Sequence, residues 1–190
     1  MPLKAKEDSQ EAILYIARQI CLQFKKMIEA NRMSDLLYFK DKFKGEKTVQ
    51  RLFMLMADAY CKISNIDLSP EDDYGIGPVD FKLSSGYSHK VLLEVKLAKS
   101  SQLIRGLKVQ LPAYLKAEST SKGIYMVVMT EQNDDQIVSN FWKKVAANNL
   151  PDTLRNNIIV IDARKSKSAV IFDWFCCFMF WARSFHFLMQ

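Results

Sequence analysis

The sequence predicts an α/β fold, a mixed sheet layered with helices, on three observations. Before residue 65, apolar side chains recur at three- and four-residue spacing, the period of amphipathic helices. Two apolar runs, "FKLS" and "KVLLEVKLA", flank the turn "SGYS" and read as an antiparallel hairpin. The later runs "GIYMVVMT" and "NIIVIDA" alternate with helix-like stretches, as parallel crossover connections require.

From Ser9 to about Met33, the positions Ile13, Ile16, Ala17, Ile20, Phe24, Met27 and Ile28 mark one face of a long helix. A second helix is predicted over Ser34 to Phe43. After Gly45, "EKTVQRLFMLMADAYCKI" predicts a third, with Val49, Leu52, Phe53, Met56 and Ala57 on one wide apolar face suited to burial against a sheet. The stretch "DLSPEDDYGIGPVD" carries five acids and no base and reads as an exposed loop, with Asp72 or Asp73 near enough to the following strand to join a site. Its "GIG" lacks a third glycine and a following helix, so no nucleotide cofactor is expected. Between the later strands, "SSQLIRGLKVQLPAYLKAE" and "DDQIVSNFWKKVAANN" have helical period. Pro112 has no N–H to donate, which predicts a kink or a helix start near Gln110.

The 190 residues divide into a helical N-terminal extension (1–44), a core (45–165) and an apolar, aromatic tail (166–190). The tail is expected to be a buried final element, an oligomer contact or a terminus outside the fold. Residues 170–182 are apolar except for Asp173, shorter than the roughly 20 residues that span a bilayer, so no membrane partner is expected. The cysteines at 21, 61, 176 and 177 have no C-x-x-C spacing, which excludes a recognisable zinc site or disulfide framework. With no basic-then-apolar leader, a reducing cytoplasm is the expected compartment. The net charge of +6 leans toward polyanionic partners.

Charged residues inside the hairpin need a reason. If it folds symmetrically about Tyr87, Asp80 faces Glu94 and Pro78 faces Lys96. Parity then places Val79, Phe81, Leu83, Val91, Leu93, Val95 and Leu97 on a core face. Asp80, Lys82, Glu94 and Lys96 share the other, a face for chemistry or solvent. Opposed carboxylates on a sheet repel unless something positive lies between them. Two carboxylates with the Val95 carbonyl suit Mg²⁺ or Mn²⁺ and not zinc, because His89 and His186 lie off this face. A solvated strip of screened ion pairs is the alternative. From Lys90 to Lys122, seven basic residues stand against Glu94 and Glu118, a stretch able to follow a phosphate backbone.

Asp80, followed after thirteen residues by Glu94, Val95 and Lys96, resembles the signature of the PD-(D/E)XK nuclease superfamily, with its opening pair split as Pro78, Val79, Asp80. Gln110 and Tyr114 read Q-x-x-x-Y, similar to the extra motif of RecB-like branches, and Glu46 resembles the helix-borne acid that many members add. The likeness is tight from Glu46 to Thr130 and implies a restriction-endonuclease-like core of α-β-β-β-α-β order with a mixed central sheet. It implies a Mg²⁺-dependent hydrolase of phosphodiester bonds, acting on DNA, in phage defence or repair. Asp80, Glu94 and the Val95 carbonyl would hold metal, and Lys96 would hold or help deprotonate the attacking water and stabilise the transition state. Gln110 and Glu46 would support the site, Tyr114 would support it and bind nucleic acid, and Lys99, Ser100 and Arg105 would contact phosphates. The alternative is a catalytically inactive nucleic-acid-binding or assembly subunit of the same fold. A homo-oligomer or partner subunit would dock through the N-terminal helices or the tail.

Overall fold

A computed structural model describes residues 9–70, 79–148 and 150–165. Asp72, Asp73, Pro78, His186 and the tail from 166 onward lie outside the described residues.

Helix α1 (Gln10–Glu29) starts where Ser9 Oγ accepts the Ala12 N–H at 3.2 Å, an N-cap that satisfies one of the first-turn donors. The chain departs from expectation over Ser34 to Phe43. A 3₁₀ turn (Met33–Leu37) leads into a small hairpin of β1 (Tyr38–Phe39) and β2 (Lys42–Phe43). Here Lys40 and Asp41 form a two-residue turn, and Tyr38 pairs across the hairpin with Phe43, ring centroids 5.6 Å apart. A cross-strand aromatic pair of this kind outweighs a weak helical period. Gly45, at φ 105°, then turns the chain into α2 (Glu46–Ile63), a conformation strained for any side chain with a Cβ.

Strand β3 (Asp67–Pro70) follows within the stretch expected to be loop. It is polar and ends in proline, as only an edge strand allows. Next come β4 (Phe81–Ser85) and β5 (His89–Leu97). A nearly continuous helix then runs through α3 (Leu103–Arg105), a π-helical segment (Gly106–Gln110) and α4 (Leu111–Ala117). The π turn is the distortion that Pro112 predicts: it sits in the first turn of α4, and the Leu111 N–H reaches back to the Gly106 carbonyl. Strand β6 (Gly123–Met129), α5 (Asp134–Ala147), the short α6 (Asp152–Arg155) and β7 (Ile158–Asp162) complete the described fold.

The five-stranded sheet has the order β3-β4-β5-β6-β7, antiparallel from β3 to β5 and parallel from β5 to β7. Apolar clusters cover both faces. On one, Ile20 and Phe24 of α1 and Phe53 of α2 pack on Phe81, Leu93, Met126 and Ile161. Phe53 lies between Phe24 and Phe81, with centroids at 5.3 and 5.0 Å. On the other, Leu107, Leu111 and Phe141 pack on Leu92, Tyr125 and Val127. Helix α1 belongs to the first layer, and Arg18 and Lys25 bond the Asn156 and Val160 carbonyls at 2.7 and 2.6 Å. One expectation is corrected. The even-numbered hairpin face is a second core at Leu92, and Val79 joins that core rather than the layer of Phe81 because the chain bends at Asp80. Among the described residues, no helix is long and apolar enough to cross a membrane.

Candidate functional site

The β4–β5 register is the one that symmetry about Tyr87 predicts: Phe81 faces Leu93, Leu83 faces Val91 and Ser85 faces His89. The strand β4 begins at Phe81, so Asp80 stands one step past the last pair, beside Glu94. Beyond that point β5 has β6 on one edge only. The N–H groups of Val95 and Leu97, which alternate toward the vacated edge, find side-chain acceptors. Val95 N–H donates to Asp80 Oδ2 at 2.6 Å, and Leu97 N–H donates to Glu46 Oε2 at 3.0 Å. Backbone donors inside a fold must be paired, so carboxylates are drawn to this edge.

Helix α2 contributes twice. Glu46 lies in its first turn, and Gln50, one turn on and on the same face, donates Nε2 to Asp80 Oδ1 at 2.6 Å. Gln50 is absent from the residues expected to hold the site, although its spacing from Glu46 was a readable signal. Lys96 shares the face of Glu94, two residues away, and its ammonium lies 2.6 Å from Glu94 Oε1. Glu94 is 1% exposed, and its second oxygen, Oε2, is buried with no hydrogen-bond partner among the described residues. Tyr125 stands across from Glu94 on β6 and donates its hydroxyl to the Leu103 carbonyl at 2.6 Å. A parallel register between distant strands leaves no mark in local sequence, so Tyr125 had no signal.

Electrostatics follow from this crowding. Burial, and then the neighbouring Glu94 charge, push Asp80 up to about 7 despite the Val95 N–H and Lys96. Burial also raises Glu94, against the pull of Lys96. For Lys96, burial favours the neutral form, yet Glu94, Asp80 and Glu46 together outweigh it and raise its pKa. In the metal-free protein these carboxylates favour the protonated form of Lys96.

Among the described residues, no group of three or more His, Cys, Asp or Glu side chains is gathered in a metal-holding arrangement. The pair Asp80 and Glu94 nonetheless fits a hard divalent cation. Both are pushed toward protonation, Glu94 keeps an orphaned buried oxygen, and the available donors are oxygen. The Val95 carbonyl lies on the same strand edge as the N–H that Asp80 accepts. His89 starts β5, at its far end.

The remaining expected residues scatter. Gln110 ends the π-helical segment with Oε1 buried and unpartnered; a Cβ on Gly106 would lie 3.3 Å from that oxygen and 2.5 Å from the Tyr125 hydroxyl, so it adjoins the site floor. Tyr114, 8% exposed, is a member of the second core, buried by the same apolar spacing that buries Leu111 and Leu115. Ser100 Oγ accepts the Gln102 N–H at 3.2 Å within the turn after β5. Lys99 is exposed and 2.5 Å from Glu131, and Arg105 is exposed with its guanidinium 3.2 Å from Gln102 Oε1.

A family model described as a domain of unknown function (DUF8371) matches residues 13–132, a span that begins in α1 and includes every residue of this cluster. No curated protein and no solved structure matches the chain.

Proposed function

We propose, from the premise that the chain belongs to the DUF8371 family, that it is a metal-dependent nuclease of the PD-(D/E)XK type, hydrolysing phosphodiester bonds in DNA. One observation carries the reading: half-buried Asp80 and buried Glu94 stand side by side at the edge of β5 that β4 leaves open, with Lys96 on Glu94. A structural ion pair needs one acid and one base. Here two further carboxylates crowd the same lysine, at the electrostatic expense that raises Asp80. Sites that hold such unfavourable charge are characteristic of catalysis. The element order from α2 to β6, one helix, three strands, a helix and a strand, supports a restriction-endonuclease-like core.

Asp80, Glu94 and the Val95 carbonyl would hold Mg²⁺ or Mn²⁺, which supplies activation of water and neutralisation of phosphate charge. The protein's own groups do the rest. Gln50 and the Val95 N–H fix both oxygens of Asp80, so the carboxylate cannot rotate away. Lys96, kept cationic, is placed to stabilise negative charge that develops on the phosphoryl oxygens. Glu46 is committed to the Leu97 N–H and holds α2 against the strand. Phage defence or repair, as a biological setting, rests on the sequence resemblance alone.

The test is cleavage of single-stranded, double-stranded and branched DNA with Mg²⁺ or with chelator, comparing wild type with Asp80→Ala and Lys96→Ala. Each substitution should slow metal-dependent cutting by roughly 10²- to 10³-fold. Metal-dependent cutting that survives both overturns the assignment, and binding without cutting by wild type favours the inactive subunit.

A further inference from the structure

The β1–β2 hairpin belongs to no part of this site, yet it ends three residues before Glu46. Its two faces differ. Tyr38 and Phe43 point inward: the Tyr38 hydroxyl lies 3.0 and 3.1 Å from the Thr130 and Ala163 carbonyls, and Lys99 lies 5.9 Å from the centre of the Phe43 ring. The paired residues Phe39 and Lys42 point outward, and Phe39 is 65% exposed. Lys40 lies 5.6 Å from the Phe39 ring centre. The two turn residues, Lys40 and Asp41, both hold left-handed backbone (φ 44° and 65°), which glycine or asparagine would adopt at less strain. A hairpin anchored on one side that holds an aromatic ring in solvent calls for a partner.

Charge identifies the partner's chemistry. Lys40, Lys42, Lys44, Lys47 and Arg51, all exposed, stand against Asp41 and Glu46. Both acids are already engaged, Asp41 with Lys165 and Glu46 with the Leu97 N–H. Lys44 reaches the Leu36 carbonyl and keeps its charge, and Lys42 and Lys47 have no acidic partner among the described residues. An exposed ring among cations fits a polyanion whose flat bases are free to stack. In a duplex the base faces are already stacked on one another, so the ring has nothing to receive.

We infer that the β1–β2 hairpin is a strand-holding arm, on which an unpaired base of single-stranded nucleic acid stacks against Phe39 while Lys40, Lys42 and Lys47 follow its phosphates. The inference rests on the nuclease reading for its substrate class. An internal comparison is available: Tyr87 is 90% exposed and lies 5.1 Å from Lys90, but Lys90 is paired with Glu118 at 2.9 Å. Tyr87 also sits at the opposite end of β5, roughly 25 Å from Lys96 along the strand at about 3.3 Å per residue.

Binding of labelled oligo(dT) to the full chain, measured by fluorescence anisotropy in chelator, separates the arm from the chemistry. Phe39→Ala should weaken binding roughly 5-fold or more, with unchanged thermal stability, and Phe39→Trp should retain it. Lys40→Ala with Lys42→Ala should flatten the dependence of log K on log salt by about 0.7 for each lysine that contacts phosphate. Tyr87→Ala should bind as wild type, and blunt duplex should bind more weakly than oligo(dT). Wild-type affinity in Phe39→Ala, equal affinity for duplex, or no oligo(dT) binding by wild type overturns the arm. The two readings fail separately: Mg²⁺-dependent cutting with no effect of Phe39→Ala on binding removes the arm and leaves the nuclease. Phe39-dependent binding without cutting under any metal removes the nuclease and leaves the arm.

Discussion

From His89 to Leu93, strand β5 is paired with β4, joined on its other edge by β6 from Leu92 on, and Val91 and Leu93 sink into the layer of α1 and α2. From Glu94 to Leu97 the backbone continues unchanged, but β4 has ended, and the N–H groups of Val95 and Leu97 are closed by the carboxylates of Asp80 and Glu46. A ladder closes an edge with neutral groups and leaves nothing over. Carboxylates that close an edge bring lone pairs and charge in surplus, and they bring them beside Glu94. The two halves thus divide one strand between a paired ladder and the proposed site, and each half can be broken without the other.

The largest effect is expected in the ladder half. Leu93 is fully buried, and Leu93→Ala should lower stability by about 2–5 kcal/mol, measured by urea unfolding. That loss should be the same with chelator and with Mg²⁺. A loss that Mg²⁺ repairs would mean that the two halves are energetically one unit.

This division was only half legible in the sequence. The register about Tyr87, the periodic faces of α1 and α2, and the placement of Asp80 beside Glu94 all follow from side-chain alternation, which a local stretch records in full. Pro112 announced the distortion before α4, though not that it would be a π turn. The hairpin at Tyr38–Phe43 was misread because six residues are too few to separate period two from period 3.6, and the deciding contact, Tyr38 with the ends of β6 and β7, is non-local. The burial of Tyr114 was not legible for a related reason. A tyrosine at helical spacing looks the same whether the opposite layer covers it or not, and here the second core does.

A smaller effect is expected where the carboxylate half is oriented rather than charged. Gln50 supplies one of two donors to Asp80, and Gln50→Ala leaves Oδ1 free to turn while the Val95 N–H still holds Oδ2. Orienting partners of this kind are worth 10- to 100-fold in metal affinity. Mn²⁺ titration by calorimetry should therefore show binding weaker by roughly that factor, with Leu93→Ala, where it folds, binding Mn²⁺ as wild type does. Unchanged Mn²⁺ affinity in Gln50→Ala would assign the orientation of Asp80 to the strand edge alone.

The smallest effect is a slope in pH. Asp80 is held by Gln50 and the Val95 N–H and faces Glu94, Lys96 and Glu46, and burial with the Glu94 charge raises it to about 7 from an ordinary carboxylate value near 4. Glu94 is shifted in the same direction. Between those values the folded, metal-free protein binds more protons than the unfolded chain, so stability must fall as pH rises from about 4 to about 7. The slope from one such group is bounded by the single proton that it binds. Lys96 is raised and titrates above this window, so it adds no opposing slope there. Urea unfolding in chelator should show the decline, and Asp80→Asn, which keeps an acceptor for the Val95 N–H but carries no charge, should flatten it. Stability that instead rises across this window in chelator would mean that Lys96 already neutralises the pair, and the electrostatic case for a cation between Asp80 and Glu94 would go with it.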